Sequence, residues 1–189
     1  MIQTLRLGID IGGTKAAYGV VNNKGTILAQ GNVSTRGYAN VDLFVETLYD
    51  AIKQNLAPSL YEQIISIGVG APNGNFYTGN IEFAPNLEWK GVIPLAAMMQ
   101  EKFSIPVKLT NDANAAAMGE KMYGAAKGMN DFIMVTLGTG VGSGFIANGQ
   151  LIYGHDGFAG ELGHVIAVRD GRLCGCGRKG CLETYTSST

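Results

Sequence analysis

The sequence predicts an α/β protein of two related lobes around a cleft, and three observations carry that prediction. Apolar runs of strand length alternate with segments whose apolar residues recur at helical spacing. An opening unit of apolar strand, glycine-rich turn and two further strands is met twice, at residues 5–28 and again at 132–153. Twenty-eight glycines sit beside β-branched runs, outside any low-complexity tract, a placement that suits tight turns and close approach of backbone to ligand. Two glycine-rich meanders alike by chance are the other reading of the repeat.

The elements follow in order. LRLGIDI is a strand running into Gly12-Gly13, and AAYGVVN and TILAQGNV are strands joined by an Asn22-Asn23-Lys24-Gly25 turn. VDLFVETLYDAIKQNL spaces Leu43, Phe44, Val45, Leu48, Ile52 and Leu56 close to a helical period, with Pro58 just beyond. IISIGVGAPNG is a buried strand ending in a Gly/Pro loop. GVIPLAAMMQEKF reads as a helix with Pro94 in its first turn, PVKLTN as a strand, and DANAAAMGEKMYG as a helix stopped by Gly124. FIMVTLG then restarts the opening pattern, followed by GSGFIA, an Asn148-Gly149 turn and the strand QLIY. The expected boundary separates a first lobe, 1–113, from a second, 114–189.

Composition narrows the function. Fourteen Lys plus Arg against fifteen Asp plus Glu give a formal charge of −1, with no basic stripe to attract nucleic acid or anionic lipid, so a small-molecule partner is expected. The start, MIQTLRLGID, lacks the basic and apolar regions of a secretory signal, and no later run is long enough to span a bilayer. A soluble, cytoplasmic protein is therefore expected. In that reducing compartment three cysteines do not imply disulfides, which leaves metal ligation or ordinary thiols.

Four motifs carry chemistry. DIGGTK, Asp10 to Lys15, ends a strand: Gly12 and Gly13 let backbone N–H groups approach an anion, Thr14 offers a hydroxyl, Lys15 a cation, and Asp10 a carboxylate able to hold Mg²⁺ through water. It is not a Walker sequence, and a plain β-turn is the blander reading. LGTGVGSG supplies a second loop with a hydroxyl, Gly138-Thr139-Gly140. Two such loops can hold a nucleotide's phosphate chain. In LTNDANAAA, Asp112 stands where a strand meets a helix; it is either a helix cap or a carboxylate that the helix dipole keeps ionised for proton abstraction. Finally His164, Cys174, Cys176 and Cys181 match the ligand count of a closed tetrahedral Zn²⁺ site, against unligated thiols and a core histidine. Arg178-Lys179 reads as a solvated turn between these ligands.

Taken in order, DIGGTK, TNDANAAAMGE, LGTGVGSG, GELGH and CGCGRKGCLE resemble the ROK family of bacterial sugar kinases and sugar-responsive repressors, over nearly the whole chain. The resemblance implies the actin-like ATPase (ribonuclease H-like) fold, with sugar and ATP in the cleft and the second lobe incomplete, because family members continue well past the cysteine motif. It implies Asp112 as the base that activates a sugar hydroxyl, with Asp10 on the Mg²⁺ side and the two glycine loops on ATP. Asn86, Asn111, Glu161, His164 and Glu183 become the sugar contacts. It favours zinc too, since His, nine residues, then CxCxxxxC is the family's pattern.

The activity so implied is ATP-dependent phosphorylation of a hexose, with glucose favoured by APNLEW and the Glu-x-x-His pair. Kinases for fructose, N-acetylmannosamine or N-acetylglucosamine share these motifs. A homodimer is compatible with the resemblance. A sugar-sensing regulator is the alternative, although the nine residues ahead of Asp10 are too few for a helix-turn-helix domain.

Overall fold

The structure, a computed structural model, describes residues 4–188. The chain divides after Asp112 into two compact units. The first opens with an antiparallel meander of β1 (Leu5–Ile11), β2 (Lys15–Val21) and β3 (Ile27–Ser34). Helix α1 (Val41–Asn55) then leads through the short α2 (Pro58–Tyr61) to β4 (Ile64–Ala71), and a small β5/β6 pair (Ile81–Glu82, Val92–Ile93) precedes α3 (Leu95–Phe103) and β7 (Val107–Asn111). These strands form one sheet in the order β3-β2-β1-β4-β7, with β4 parallel to both β1 and β7.

Side-chain alternation explains the core. In β1, Leu5, Leu7, Ile9 and Ile11 are buried while Arg6, Gly8 and Asp10 face the other way. Asn40 caps α1 by accepting from the Leu43 N–H at 3.0 Å, and the helix buries Phe44, Val45, Leu48 and Ile52 against the sheet. Phe44 also meets Trp89, with ring centroids 4.6 Å apart.

The expected helix over GVIPLAAMMQEKF begins later than its composition implies. Ile93 pairs with Ile81, and the helix starts at Leu95, after Pro94. The residue before a proline is pushed toward extended backbone, so Val92–Ile93 are better placed as a strand.

The second unit contains α4 (Asp112–Tyr123, whose first residue closes the first unit), β8 (Phe132–Leu137), β9 (Val141–Ala147) and β10 (Gln150–Leu151). Its sheet runs β10-β9-β8, the connectivity of the first meander. Asn148 and Gly149 both take positive φ, 51° and 74°, as a two-residue type I′ hairpin turn requires. QLIY pairs over two residues only. Gly142 and Gly144 lie against Ala113 and Ala117, so this sheet packs on α4. From Tyr153 onward, regular structure among the described residues is limited to a 3-10 turn (Leu162–His164) and the short α5 (Glu183–Thr186). No helix among the described residues is long and apolar enough to cross a membrane.

Candidate functional site

Register in the first sheet assembles one group of predicted residues. Asp10 pairs with Gly70, and the neighbouring Ala71 pairs with Asn111, so Asp10 and Asn111-Asp112 stand at the carboxyl ends of three adjacent parallel strands. Ligand crevices of open α/β sheets form at such ends. Burial first, and then the Asp112 charge, push the Asp10 carboxyl above its ordinary range, with Lys15 pulling the other way. Asp112 is the first residue of α4, which places its carboxylate at the positive end of the helix dipole.

The loop joining β1 to β2 is held by a segment that the sequence reading passed over. Gly12 N–H donates to the Lys15 carbonyl at 2.9 Å, and Thr35 N–H to the Thr14 carbonyl at 3.1 Å. The buried Thr35 hydroxyl donates to the Gly12 carbonyl at 2.8 Å, and Arg36 Nε to the Gly13 carbonyl at 3.1 Å. The remaining signal was a polar cluster, STR, at the end of a strand. Residue 13 must be glycine for a second reason: a Cβ there would sit 2.7 Å from the Asn86 carbonyl oxygen. The APNLEW loop therefore packs its backbone directly on the first glycine loop. Glu88 accepts from Gly37 N–H at 3.0 Å and Lys90 Nζ donates to the Leu87 carbonyl at 2.7 Å, which fixes that loop's shape.

In the second unit, His164, Cys174, Cys176 and Cys181 come together, their ligand atoms all within 4.8 Å of one another. His164 Nδ1 lies 3.7 Å from Cys174 Sγ, and Cys176 Sγ lies 3.7 Å from Cys181 Sγ. Tetrahedral zinc with Zn–S bonds of ~2.3 Å has ligand–ligand edges of about 3.8 Å, so this donor set fits the ion. Arg178 is more than a solvated turn. Its guanidinium donates to the His164 carbonyl at 3.0 Å, and its backbone and side chain hold the Cys176 thiol down to about 6. Burial pushes the Cys181 thiol up to about 11.

The Gly138-Thr139-Gly140 loop lies between β8 and β9, with Gly138 N–H donating to the Gly140 carbonyl at 3.0 Å. Glu161 and His164 bracket the 3-10 turn, where His164 N–H donates to the Glu161 carbonyl at 3.0 Å. Glu183 opens α5, two residues after Cys181. A shallow cavity of about 210 Å³, bounded by Phe76, Gln100 and Lys108 among others, contains none of the predicted residues.

The ROK family model matches residues 6–189. The chain belongs to the ROK family. A glucokinase of Streptomyces coelicolor is 41% identical over 97% of this chain and 56% of its own length. A xylose repressor of Caldicellulosiruptor bescii is 34% identical over 96% of this chain and 46% of its own. Among solved structures, a ROK family glucokinase from Streptomyces griseus in complex with glucose and AMPPNP superposes with a TM-score of 0.79 at 42% identity, covering 97% of this chain and 57% of that one. This ROK chain has the actin-like ATPase fold and spans about half the length of these relatives.

Proposed function

We propose that the protein phosphorylates a hexose with ATP, converting glucose to glucose 6-phosphate. The observation that carries this reading is the cluster at the carboxyl ends of β1, β4 and β7. A glycine loop, two carboxylates that repel one another and the backbone of Asn86 meet there. Phosphoryl transfer asks a protein mainly for positioning and charge neutralisation, and this cluster supplies both. The glucokinase relatives support the same reading.

The roles follow from the chemistry of each group. Asp112 accepts the proton of the sugar 6-hydroxyl as its oxygen bonds to the γ-phosphorus. The bond from that phosphorus to the β–γ bridging oxygen breaks, and ADP departs. Asn111 and Asn86 hold sugar hydroxyls, as do Glu161, His164 and Glu183. Lys15, Thr14 and the N–H groups of Gly12 and Gly13 receive phosphate oxygens, and Gly138, Thr139 and Gly140 do the same in the second unit. Asp10 suits Mg²⁺, because a cation beside it relieves both its burial and the Asp112 charge. Bound Mg²⁺ would neutralise phosphate charge. The cysteines and His164 suit structural Zn²⁺, which would tie the loop bearing Glu161 and Glu183 into one shape.

A sugar-responsive regulator is the second reading, favoured by the xylose repressor match. Hexose-dependent ADP release with Mg²⁺ and Zn²⁺ separates the two when measured across glucose, mannose, fructose, N-acetylmannosamine and N-acetylglucosamine. Turnover with glucose, cut by about 10²- to 10⁴-fold in Asp112→Asn while glucose still binds, is expected. Glucose binding without turnover on any of the five sugars, repeated in a chain extended to the length of the glucokinase relatives, would favour the regulator.

A further inference from the structure

The Glu183 carboxylate is aimed at the second glycine loop. Its Oε2 accepts from the Val141 N–H at 2.9 Å, the amide directly after Gly140. A Cβ on residue 140 would lie 2.7 Å from that same oxygen, so glycine at 140 leaves room for the carboxylate to reach the backbone. Five residues further on, Ser188 N–H donates to the Gly138 carbonyl at 2.8 Å, which grips the other end of the loop. The carboxylate's second oxygen, Oε1, lies 3.7 Å from Cys174 Sγ. The chain just before it is equally constrained: Cys181 belongs to the cysteine–histidine cluster, Leu182 N–H donates to the Val165 carbonyl at 2.9 Å, and Thr184 N–H to the Cys181 carbonyl at 3.1 Å.

We propose that Glu183 is a positioning residue for the second glycine loop, a strut that carries the order of the cysteine–histidine cluster into the backbone of residues 138–141. A loop of glycines loses more conformational entropy on ordering than any other sequence, and a charge-assisted hydrogen bond donated by its backbone to a fixed carboxylate offsets part of that cost. The assignment adds a role to the sugar contact given above, and it rests on reading residues 138–140 as a phosphate loop.

Hydrogen exchange of the Val141 amide tests the strut without reference to catalysis. In zinc-loaded protein, Glu183→Ala is expected to speed that exchange by about tenfold, the loss of one hydrogen bond to a charged group. Glu183→Gln, which keeps an acceptor, should fall between alanine and the parent. Exchange at Phe145 and Ile146, and the zinc content, should not change. Unaltered Val141 exchange in the alanine variant overturns the proposal, as does equal acceleration along all of β9. The affinity for Mg²⁺–AMPPNP without sugar supplies the functional arm, and it should weaken in the same order, alanine more than glutamine. Faster Val141 exchange in a protein whose parent binds no nucleotide would uphold the strut and overturn the phosphate-loop reading.

Discussion

Asp10 shows how the burial of a single carboxyl bears on stability. Its carboxyl is raised by burial and by Asp112, so the folded state holds its proton more tightly than the unfolded chain does. The linkage sign is then fixed. Asp10 favours folding fully only below its unfolded value and loses that contribution as pH rises through its folded value, leaving a penalty at neutral pH. Asp10→Asn is therefore expected to raise the melting temperature of the metal-free protein at pH 7 and to narrow the gap from the parent at pH 3, while abolishing Mg²⁺-dependent turnover. A lower melting temperature at pH 7 would show that hydrogen bonds of the ionised form outweigh desolvation. Sequence alone marked Asp10, Lys15 and Asp112, since each lies in a short motif of distinctive residue types. Thr35 and Arg36 escaped notice because their contacts to Gly12 and Gly13 span 23 residues and leave no local pattern.

At the scale of the element, the cysteine loop stands out for having little regular structure of its own. Residues 165–182 carry no helix or paired strand beyond isolated bridges, at Ile166–Cys181 and Leu173–Lys179, and several exposed apolar side chains, Leu173 among them. Such a segment has little of its own to repay the entropy of ordering. Cys176→Ser should lower zinc content and raise the sugar KM sharply while leaving Asp112 chemistry on the bound complex much less affected. Unchanged sugar affinity in a zinc-free variant would refute a role for the metal in shaping the sugar site. Zinc affinity should fall as pH drops, because each thiol must lose its proton to bind, and competition titrations at pH 6 and pH 8 would read this directly. The element boundaries teach a parallel lesson. α1 forms where its periodicity predicts, whereas Val92–Ile93 leave a helical-looking stretch to pair with Ile81–Glu82, since Pro94 disfavours helix just before it.

For the whole molecule, the two units differ in what holds them. The contiguous apolar cluster, from Leu5 to Leu109, lies entirely in the first unit. Among the described residues of the second, the buried apolar side chains are Ala113, Ala117, Ala126, Val141 and Ile146, with Cys174 and Cys181 beside them. A core that small needs a staple, and the cysteine–histidine cluster is the available one. Chelation is expected to break two-state behaviour: amides of 132–186 should lose exchange protection while those of β1, β4 and β7 keep theirs. Equal loss in both units would show that the metal site contributes nothing selective.

The sequence by itself determined the longer strands and helices, both meanders, the ROK motifs and all four members of the cysteine–histidine cluster, but not the β5/β6 pair or the short helical turns. These are local properties: side-chain periodicity, turn chemistry, and ligands that lie within one short stretch of chain. Only the tertiary structure decided what meets across long separations. Parallel register of β1, β4 and β7 brings Asp10 beside Asp112; backbone packing sets Asn86 against Gly13; and the direction of one side chain carries Glu183 to Val141. Register and side-chain direction are fixed by burial summed over whole elements, so no short window of sequence contains them.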